Sequence, residues 1–339
     1  MNKPTIGDVA KLAGVTKATV SHTYSGKRPI STATKTRVFE AAEQLRWVPS
    51  SSARALATRR ANAIGVVLAR DPEILASDAF FPPFIAGVEH ALSDVESALV
   101  LQVAGNRTAE ERAYRAMAAG RADGVILLDL HRHDWRPPFL AELGLPAVIL
   151  GAYDEPSRFS CVRTDDAAPV HELIAHLRAR GHTRIAHVAG PGDYVHSHVR
   201  AQAYLEAVGG DELLRIGDFT AASGRSVTEE LLELPQRPTA ILYANDAMAI
   251  AGYSYARSTG LRIPEDLAVA GFDDDAISAE LTPALTSVFT DPRRRGQVAA
   301  QRLLADLSGE EPRSVSLDCT RLRLRATTDT PFTDPHHKE

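Results

Sequence analysis

The chain has 339 residues, of which 44% are hydrophobic and 24% charged, enough for two or three globular domains. It has no apolar run of the roughly 18 residues that a membrane-spanning helix needs, and its N-terminal segment lacks the apolar core of a signal peptide. Its two cysteines, Cys161 and Cys319, have no metal-ligand spacing and cannot form a disulfide framework. These features predict a cytoplasmic protein.

The charge is distributed unevenly along the chain. The first 60 residues carry eleven lysines and arginines against three acidic residues, a net charge of +8, whereas the rest carries 27 basic and 40 acidic residues, a net charge of −13. Neutralisation of phosphates supplies most of the non-specific affinity of proteins for nucleic acid. The sequence therefore predicts a basic head that contacts nucleic acid and an acidic body that does not.

The head contains three short predicted helices. Thr5 is suited to cap the first helix, and Gly14 is suited to end it in a left-handed conformation. The second helix covers residues 17–22, and the third begins at Ser31 and runs towards Trp47. Two short helices that are joined by a glycine-containing turn and packed against a third form a helix-turn-helix unit.

The second helix of such a unit enters the major groove, and its first residues face the base edges. Lys17 is suited to guanine, Ala18 to a thymine methyl group, and His22 to guanine when its ring donates. The alternative for each of them is a side chain that is merely solvated. Hydroxyl and basic side chains nearby suit phosphate oxygens. The predicted DNA contacts of the head are Thr5, Thr16, Lys17, Ala18, Thr19, Ser21, His22, Lys27, Arg28 and Ser31.

The head resembles that of the lactose-repressor/galactose-repressor (LacI/GalR) family of transcription regulators. The similarity lies in the run TIGDVAKLAGVTKATVS at residues 5–21 and continues through Thr36-Arg37-Val38 to Trp47-Val48-Pro49. Its departures are His22 and, at positions 24 and 25, Tyr and Ser, so the operator sequence cannot be copied from relatives.

The resemblance implies that residues 49–60 form a hinge helix, which folds when two subunits meet on operator DNA. Ala53, Arg54 and Leu56 would then contact the DNA, with Leu56 wedged into the minor groove at the centre of the operator. The alternative is a solvated linker.

The body, residues 61–326, alternates short apolar runs with amphipathic stretches. Helices are predicted at 166–180 and 246–259, and this strand-helix alternation, repeated twice, predicts two doubly wound α/β lobes with parallel sheets. The predicted buried strands are 64–68, 99–103, 124–128, 147–150, 185–189, 240–244 and 267–272.

The order of these segments resembles the periplasmic-binding-protein-like body of the same family. The resemblance implies crossovers near 161–163 and 290–292 and a ligand in the cleft between the lobes. The predicted domains are the helix-turn-helix head at 1–48, the hinge at 49–60, a first lobe at about 61–161 plus 292–326, a second lobe at about 162–291, and a disordered tail at 327–339.

Polar residues follow several predicted strands, at the sheet edge where α/β proteins bind ligands. By the resemblance, Arg200 is the effector-binding arginine, Asp273 accepts from ligand hydroxyls, and Phe219 lies near an aromatic platform. The predicted effector-binding residues are Phe80, Phe81, His196, Arg200, Phe219, Asn245, Asp273 and Thr290. An arginine, a carboxylate and an aromatic face suit a sugar or sugar derivative.

Three alternatives remain. Phe80 and Phe81 are suited to stack a nucleobase, which would make the protein responsive to a nucleoside or purine, and the regulator could also act without an effector. A helix-turn-helix-fused sugar enzyme is disfavoured because the chain has no phosphate-binding loop, no nucleophile elbow and no His-Glu-x-x-His metal site. The histidines at 131, 133, 196 and 198 fit solvated loops better than a metal site.

The sequence thus predicts a DNA-binding repressor that is not an enzyme and needs no cofactor or metal. Its predicted partners are near-palindromic double-stranded operator DNA, a small-molecule effector and a second copy of the chain. No leucine heptad follows the body, which favours a dimer over a tetramer.

Overall fold

The computed structural model describes residues 4–25, 28–47, 60–70, 78–153 and 158–332. Most of the predicted hinge, including Ala53, Arg54 and Leu56, lies outside the described residues, as do Lys27 and residues 333–339. Within the described residues, no helix is both long and apolar enough to cross a membrane.

The head consists of three helices: α1 (Ile6–Ala13), α2 (Lys17–Ser25) and α3 (Thr32–Gln44). The backbone N–H and the hydroxyl of Thr5 both donate to Asp8 Oδ2, at 2.8 and 2.7 Å, which fixes the start of α1. α1 ends at Gly14, whose φ of 64° is left-handed and favours glycine.

The helices of the head close over a small apolar core. Val9, Val20 and Val38, one from each helix, are fully buried. Tyr24, where the sequence departs from the family, packs edge-on against Phe39, with ring centroids 5.3 Å apart. It also packs against Trp47 at 5.6 Å. The predicted helix-turn-helix head is therefore present, with α2 held against α1 and α3 by its apolar face.

The first lobe is built on a six-stranded sheet in which every neighbouring pair is parallel, in the order β11-β5-β4-β3-β1-β2. Its strands are β1 (Ala63–Leu68), β2 (Ala98–Val103), β3 (Gly124–Leu127), β4 (Ala147–Leu150), β5 (Ser160–Thr164) and β11 (Val315–Leu317). Its helices are α4 (Phe81–Ser93), α5 (Arg107–Ala116) with a π-helical turn at Met117–Arg121, α6 (Arg136–Glu142) and α12 (Pro292–Leu307).

The second lobe repeats this arrangement in the order β12-β10-β9-β8-β6-β7, with β12 antiparallel to β10. Its strands are β6 (Ile185–Ala189), β7 (Leu214–Ile216), β8 (Ala240–Tyr243), β9 (Ala268–Asp273), β10 (Thr286–Phe289) and β12 (Arg321–Arg323). Its helices are α7 (Ala168–Ala179), α8 (Val195–Val208), α9 (Ala221–Leu232), α10 (Asp246–Ser258), α11 (Ala276–Glu280) and a 3₁₀ turn at Ala326–Thr328.

Helices α4 and α12 cross closely on the first sheet. A Cβ atom on Gly87 would overlap the carbonyl oxygen of Arg293, and a Cβ atom on Gly296 would overlap that of Phe84. The two glycines therefore let the backbones meet. This contact places the start of α12, which was predicted to return to the first lobe, beside Phe80.

The chain passes between the lobes three times: after β5, after β10 and between β11 and β12. The prediction that residues 292–326 all belong to the first lobe is wrong for β12, because this strand pairs with β10 of the second sheet. The predicted disordered tail also begins too early. Thr327 and Thr328 are fully buried, and the Thr327 N–H donates to the Ala284 carbonyl oxygen at 3.0 Å.

Candidate functional site

The start of α2 forms an exposed polar surface on the head. Lys17 and Ala18 are exposed, whereas Thr19, Ser21 and His22 are half-buried. The Thr16 hydroxyl oxygen caps the helix by accepting from the Thr19 N–H at 3.1 Å. The outward side chains are thus held by a helix whose opposite side is buried.

Other predicted DNA contacts lie around this surface. A Cβ atom on Gly7 would lie 3.0 Å from Lys17 Cε and 3.4 Å from Thr5 Oγ1, so the Thr5 and Lys17 side chains both lie close to Gly7. Ser31 is exposed and caps α3, its oxygen accepting from the Thr34 N–H at 3.4 Å, and Arg28 is exposed as well. His22 Nδ1 is buried and has no hydrogen-bond partner among the described residues.

A cavity of about 560 Å³ lies between the lobes, at the carboxyl ends of strands from both sheets. Six of the eight predicted effector-binding residues line it: Phe80, His196, Arg200, Phe219, Asn245 and Asp273. Further charged residues that were not predicted from the sequence also line it, among them Arg70, Asp78, Asp129, Arg163, Asp166 and Arg295. Asp129 closely follows β3 and Asp166 closely follows β5, so the rule that ligands bind at strand ends would have found both.

Two predicted residues do not reach this cavity. Phe81 is 3% exposed and packs in the core of the first lobe with Phe84 and Val88. Thr290 is fully buried, and its carbonyl oxygen accepts from Cys319 Sγ at 3.4 Å. Both residues are therefore covered by protein and do not line the cavity.

On the second lobe's side of the cavity, three contacts hold the guanidinium of Arg200, which lies on α8. Its Nη1 donates to the Ala244 carbonyl oxygen at 3.0 Å, and its Nη2 lies 3.5 Å from Asp166 Oδ1. Its Cζ lies only 3.5 Å from the centroid of the Phe272 ring. The guanidinium is thereby fixed in place, which limits the entropy lost on ligand binding.

Asp273 occupies a strained turn at the end of β9. Its φ is 99° and that of Asp274 is 55°, both left-handed and neither at glycine. The Asp274 N–H donates to Ser287 Oγ at 3.0 Å, and the Asp275 N–H donates to Asp246 Oδ2 at 2.8 Å. Burial raises the pKa of Asp273, and the nearby carboxylate of Asp78 raises it further.

Asn245 and Asp246 are neighbours in the chain but have separate roles. The Asn245 side-chain oxygen accepts from the Met248 N–H at 3.0 Å and its Nδ2 donates to the Phe219 carbonyl oxygen at 3.0 Å. Phe219 itself has a φ of 71°, so Asn245 supports the left-handed backbone that presents this ring. Asp246 lies behind the Asp273 turn rather than in the cavity lining.

An aromatic stack lies on the second lobe. His196 stacks on Tyr194, with centroids 5.5 Å apart, and on Phe219 at 5.8 Å. Burial and the charge of Arg200 lower the pKa of His196 to about 3, so its ring is neutral at physiological pH.

Arg70 of the first lobe lies against this stack. Its Cζ lies 5.2 and 5.3 Å from the Tyr194 and Phe219 centroids. Its Nε and Nη2 donate to both oxygens of Asp129, at 2.7 and 2.8 Å, and its Nη1 donates to Asp78 at 3.0 Å. Burial opposes ionisation of Asp129, but Arg70 outweighs burial and lowers the pKa of Asp129.

Two family models match the chain. Residues 5–50 match that of bacterial regulatory proteins of the lacI family, and residues 174–328 match that of a periplasmic binding protein-like domain. The HTH-type transcriptional regulator CelR of Thermobifida fusca is 35% identical over 93% of this chain and 95% of its own length. The chain belongs to the LacI family. A further relative is the HTH-type transcriptional repressor PurR of Aliivibrio salmonicida strain LFI1238. It is 30% identical over 88% of this LacI-family chain and 91% of its own length.

Solved structures of the same family have this fold. The complex of the transcriptional regulator CelR with cellobiose is 33% identical, with a TM-score of 0.74 over 96% of this chain and 99% of that one. The lac repressor dimer bound to operator and the anti-inducer ONPF is 28% identical, with a TM-score of 0.82 over 96% and 99% of the two chains. The predicted family, the two-part fold and the role of a DNA-binding transcription regulator are confirmed. The relatives named here are transcription regulators and not enzymes.

Proposed function

We propose that this LacI-family regulator binds a near-palindromic operator as a homodimer and represses transcription, and that a sugar or sugar derivative in the cavity sets its operator affinity. One observation carries the proposal: the chain combines an exposed polar recognition surface on α2 with a ligand-sized cavity whose lining comes from both lobes. A site that spans two lobes can couple ligand binding to their relative position.

For the DNA site, we propose that Lys17 and Ala18 contact base edges and that the hydroxyls of Thr5, Thr16 and Ser31 contact phosphates. Their exposure supports these roles. Each good base contact contributes about 1–3 kcal/mol of discrimination. Leu56 of the hinge remains a prediction of the sequence.

For the effector site, we propose that Asp273 accepts from ligand hydroxyls, that Arg200 donates to ligand oxygens, and that the ring of Phe219 or His196 covers an apolar face. The cavity of about 560 Å³ falls in the range of small-molecule sites, roughly 300–1,000 Å³. The relative CelR has been solved with cellobiose, which supports a sugar. Stacking of a nucleobase on Phe80 and Phe81, the runner-up, is disfavoured because Phe81 is buried in the core of the first lobe. The Phe80 ring already stacks on Phe84 and lies 5.3 Å from the Arg295 guanidinium.

For the dimer, the supporting observation is an apolar strand at the edge of the first sheet. Leu101 and Val103 of β2 are 42% and 43% exposed, and Val95 just before this strand is 53% exposed. Exposed apolar edges are uncommon in monomers because they promote association. A second copy of the chain is the partner that a near-palindromic operator requires.

The test separates the two sites. A preferred site is selected from random duplex DNA, and binding to it is measured for Lys17→Ala and Asp273→Ala. We expect Lys17→Ala to weaken operator binding by about 1–3 kcal/mol while ligand binding is unchanged, because Lys17 lies on the exposed surface of α2 and not in the cavity. We expect Asp273→Ala to abolish the response to the sugar while operator binding persists. Loss of both activities in both variants would contradict separate sites.

A further inference from the structure

The buried arginines of the body differ in whether a carboxylate lies beside them, and this difference bears on the cavity. Among the described residues five arginines are buried, and four of them have a carboxylate oxygen within 4 Å: Arg70, Arg136, Arg200 and Arg302. Arg295, at the start of α12, is 8% exposed and makes no ion pair and no side-chain hydrogen bond within the described part of the chain. Its guanidinium lies 5.3 Å from the Phe80 ring centroid.

A buried guanidinium without an anion is unfavourable, because its desolvation is not compensated. Contact with an aromatic face offsets only part of this cost. Since Arg295 lines the cavity, a molecule bound there can supply the missing partner.

Other arginines that line the cavity also have a buried donor atom without an acceptor. Arg163, Arg200 and Arg295 all line the cavity, and in each of them the Nε atom is buried and has no acceptor among the described residues. Arg163 Nη2 donates to the Tyr153 carbonyl oxygen at 3.1 Å, which leaves its Nε available. Arg70 differs, since Asp129 and Asp78 occupy its Nε and both Nη atoms.

Among the described residues, no carboxylate that lines the cavity has an oxygen within 4 Å of Arg295, although the charge of Arg295 opposes the rise in the pKa of Asp273. Asp165 Oδ1 accepts from the N–H groups of Ala167 and Ala168 at the start of α7. Asp166 lies beside Arg200, and Asp273 makes no ion pair with any described residue. Arg295 is therefore a buried cation without an ion pair among the described residues, and the buried Nε atoms of Arg163 and Arg200 are further donors without an acceptor there.

We propose that the effector of this regulator carries an anionic group, a carboxylate or a phosphate, that binds Arg295, with further donors supplied by Arg163 and Arg200. The inference rests on the proposed function, because it takes the cavity as the effector site. A guanidinium presents paired N–H donors that match the oxygens of a carboxylate or phosphate, and its charge is neutralised only by an anion. The effector class is then a sugar acid or a sugar phosphate, with its hydroxyls bound near Asp273.

The test compares matched ligands on the full-length protein by isothermal titration calorimetry. The probes are glucose, glucuronate and glucose 6-phosphate, the corresponding galactose series, and cellobiose with cellobionate. We expect an acidic form to bind at least about ten times more tightly than its neutral parent, in line with charge-assisted hydrogen bonds. The comparison of carboxylate with phosphate identifies the anionic group.

Variants assign the effect to one residue. Arg295→Gln should weaken binding of the acidic ligand by about 10- to 100-fold and bring acidic and neutral forms to similar affinity. Arg294→Gln is the matched control, since Arg294 is exposed on the same turn of α12 and its loss changes the net charge equally. The control should bind as the wild type does.

Two results would count against the proposal in different ways. A neutral sugar that binds the wild type more tightly than its acidic forms would overturn the anionic effector and leave regulation by a sugar standing. Absence of binding by every sugar, neutral or acidic, would overturn both. The ligand comparison uses wild-type protein, so it tests whether the effector is anionic even if Arg295→Gln fails to fold.

Discussion

Asp273 and Asp274 hold left-handed backbone conformations that cost roughly 1–3 kcal/mol each outside glycine. Asp246 supports this turn from behind. Its Oδ1 accepts from Ser287 Oγ at 2.6 Å, and its Oδ2 accepts from Ser278 Oγ at 2.6 Å and from the Asp275 N–H. The turn is thereby ordered before any ligand arrives, which makes Asp246 a positioning residue for Asp273.

The ionisation of Asp246 gives a pH prediction. Burial raises the pKa of Asp246 to about 6, despite the hydrogen bonds from Ser278 and Ser287 that lower it. A folded-state pKa above the unfolded value, about 3.9, means that the folded protein binds the proton more tightly. The stability contributed by this group is therefore fully present below about pH 4 and is lost as the pH rises through about 6.

Asp246→Asn should remove this dependence. We expect the unfolding free energy of the wild type, taken relative to that of the variant, to be higher at pH 4.5 than at pH 7.5, by up to about 2 kcal/mol. Thermal unfolding of both proteins at the two pH values measures it. A difference that stays constant would show that Asp246 does not titrate in this range, and one that grows with pH would show that folding lowers its pKa.

Among the elements, the close crossing of α4 and α12 fixes the position of Arg295. Gly87→Ala places a Cβ atom against the Arg293 carbonyl oxygen, which lies on a backbone and cannot swing aside. We expect this substitution to destabilise the protein by about 1–3 kcal/mol through overpacking.

Gly105→Ala is the control for Gly87→Ala in the same lobe, because a Cβ atom on Gly105 would meet nothing within 4 Å. Chemical denaturation of the two variants and the wild type gives the comparison. Equal stability of Gly87→Ala and the wild type would mean that the helices are not in backbone contact.

The strands that the sequence predicted are mainly those with continuous apolar runs, such as β3 and β4, whose residues are all buried. The strands it missed lack that signal. β12 is Arg-Leu-Arg at a sheet edge, and β10 begins with Thr286 and Ser287, which are fully buried but satisfied by hydrogen bonds. Burial of such polar strands depends on partners that are distant in sequence.

The candidate site shows the same limit. Arg200 could be placed by resemblance, and Asp273 by resemblance and by its position at the end of a strand. Arg295 could not, because it stands in a run of three arginines of which only the third is buried. The packing of α12 on α4 selects the one that faces the cavity, and this packing is a tertiary property.

At the scale of the whole molecule, the two lobes are connected at the cavity as well as through the chain. The Val195 N–H donates to the Leu130 carbonyl oxygen at 2.8 Å, and the Arg132 N–H donates to the Asp193 carbonyl oxygen at 2.9 Å. Residues 130–132 follow β3 of the first sheet, and residues 193–195 lead into α8 of the second. A ligand that binds between the lobes therefore acts on a contact that joins them.

The central claim is that occupancy of this cavity changes how the head binds DNA. Linkage requires that the ligand and the operator change each other's affinity by the same factor, typically about 5- to 150-fold. The most direct measurement is fluorescence anisotropy of the selected operator duplex, titrated with full-length protein in excess random DNA, with and without a sugar that binds the body.

We expect the protein to prefer the operator clearly over random duplex at moderate ionic strength, and its operator affinity to change by at least about 5-fold when the sugar is present. No preference for any duplex, or an operator affinity that saturating sugar leaves unchanged, would contradict it.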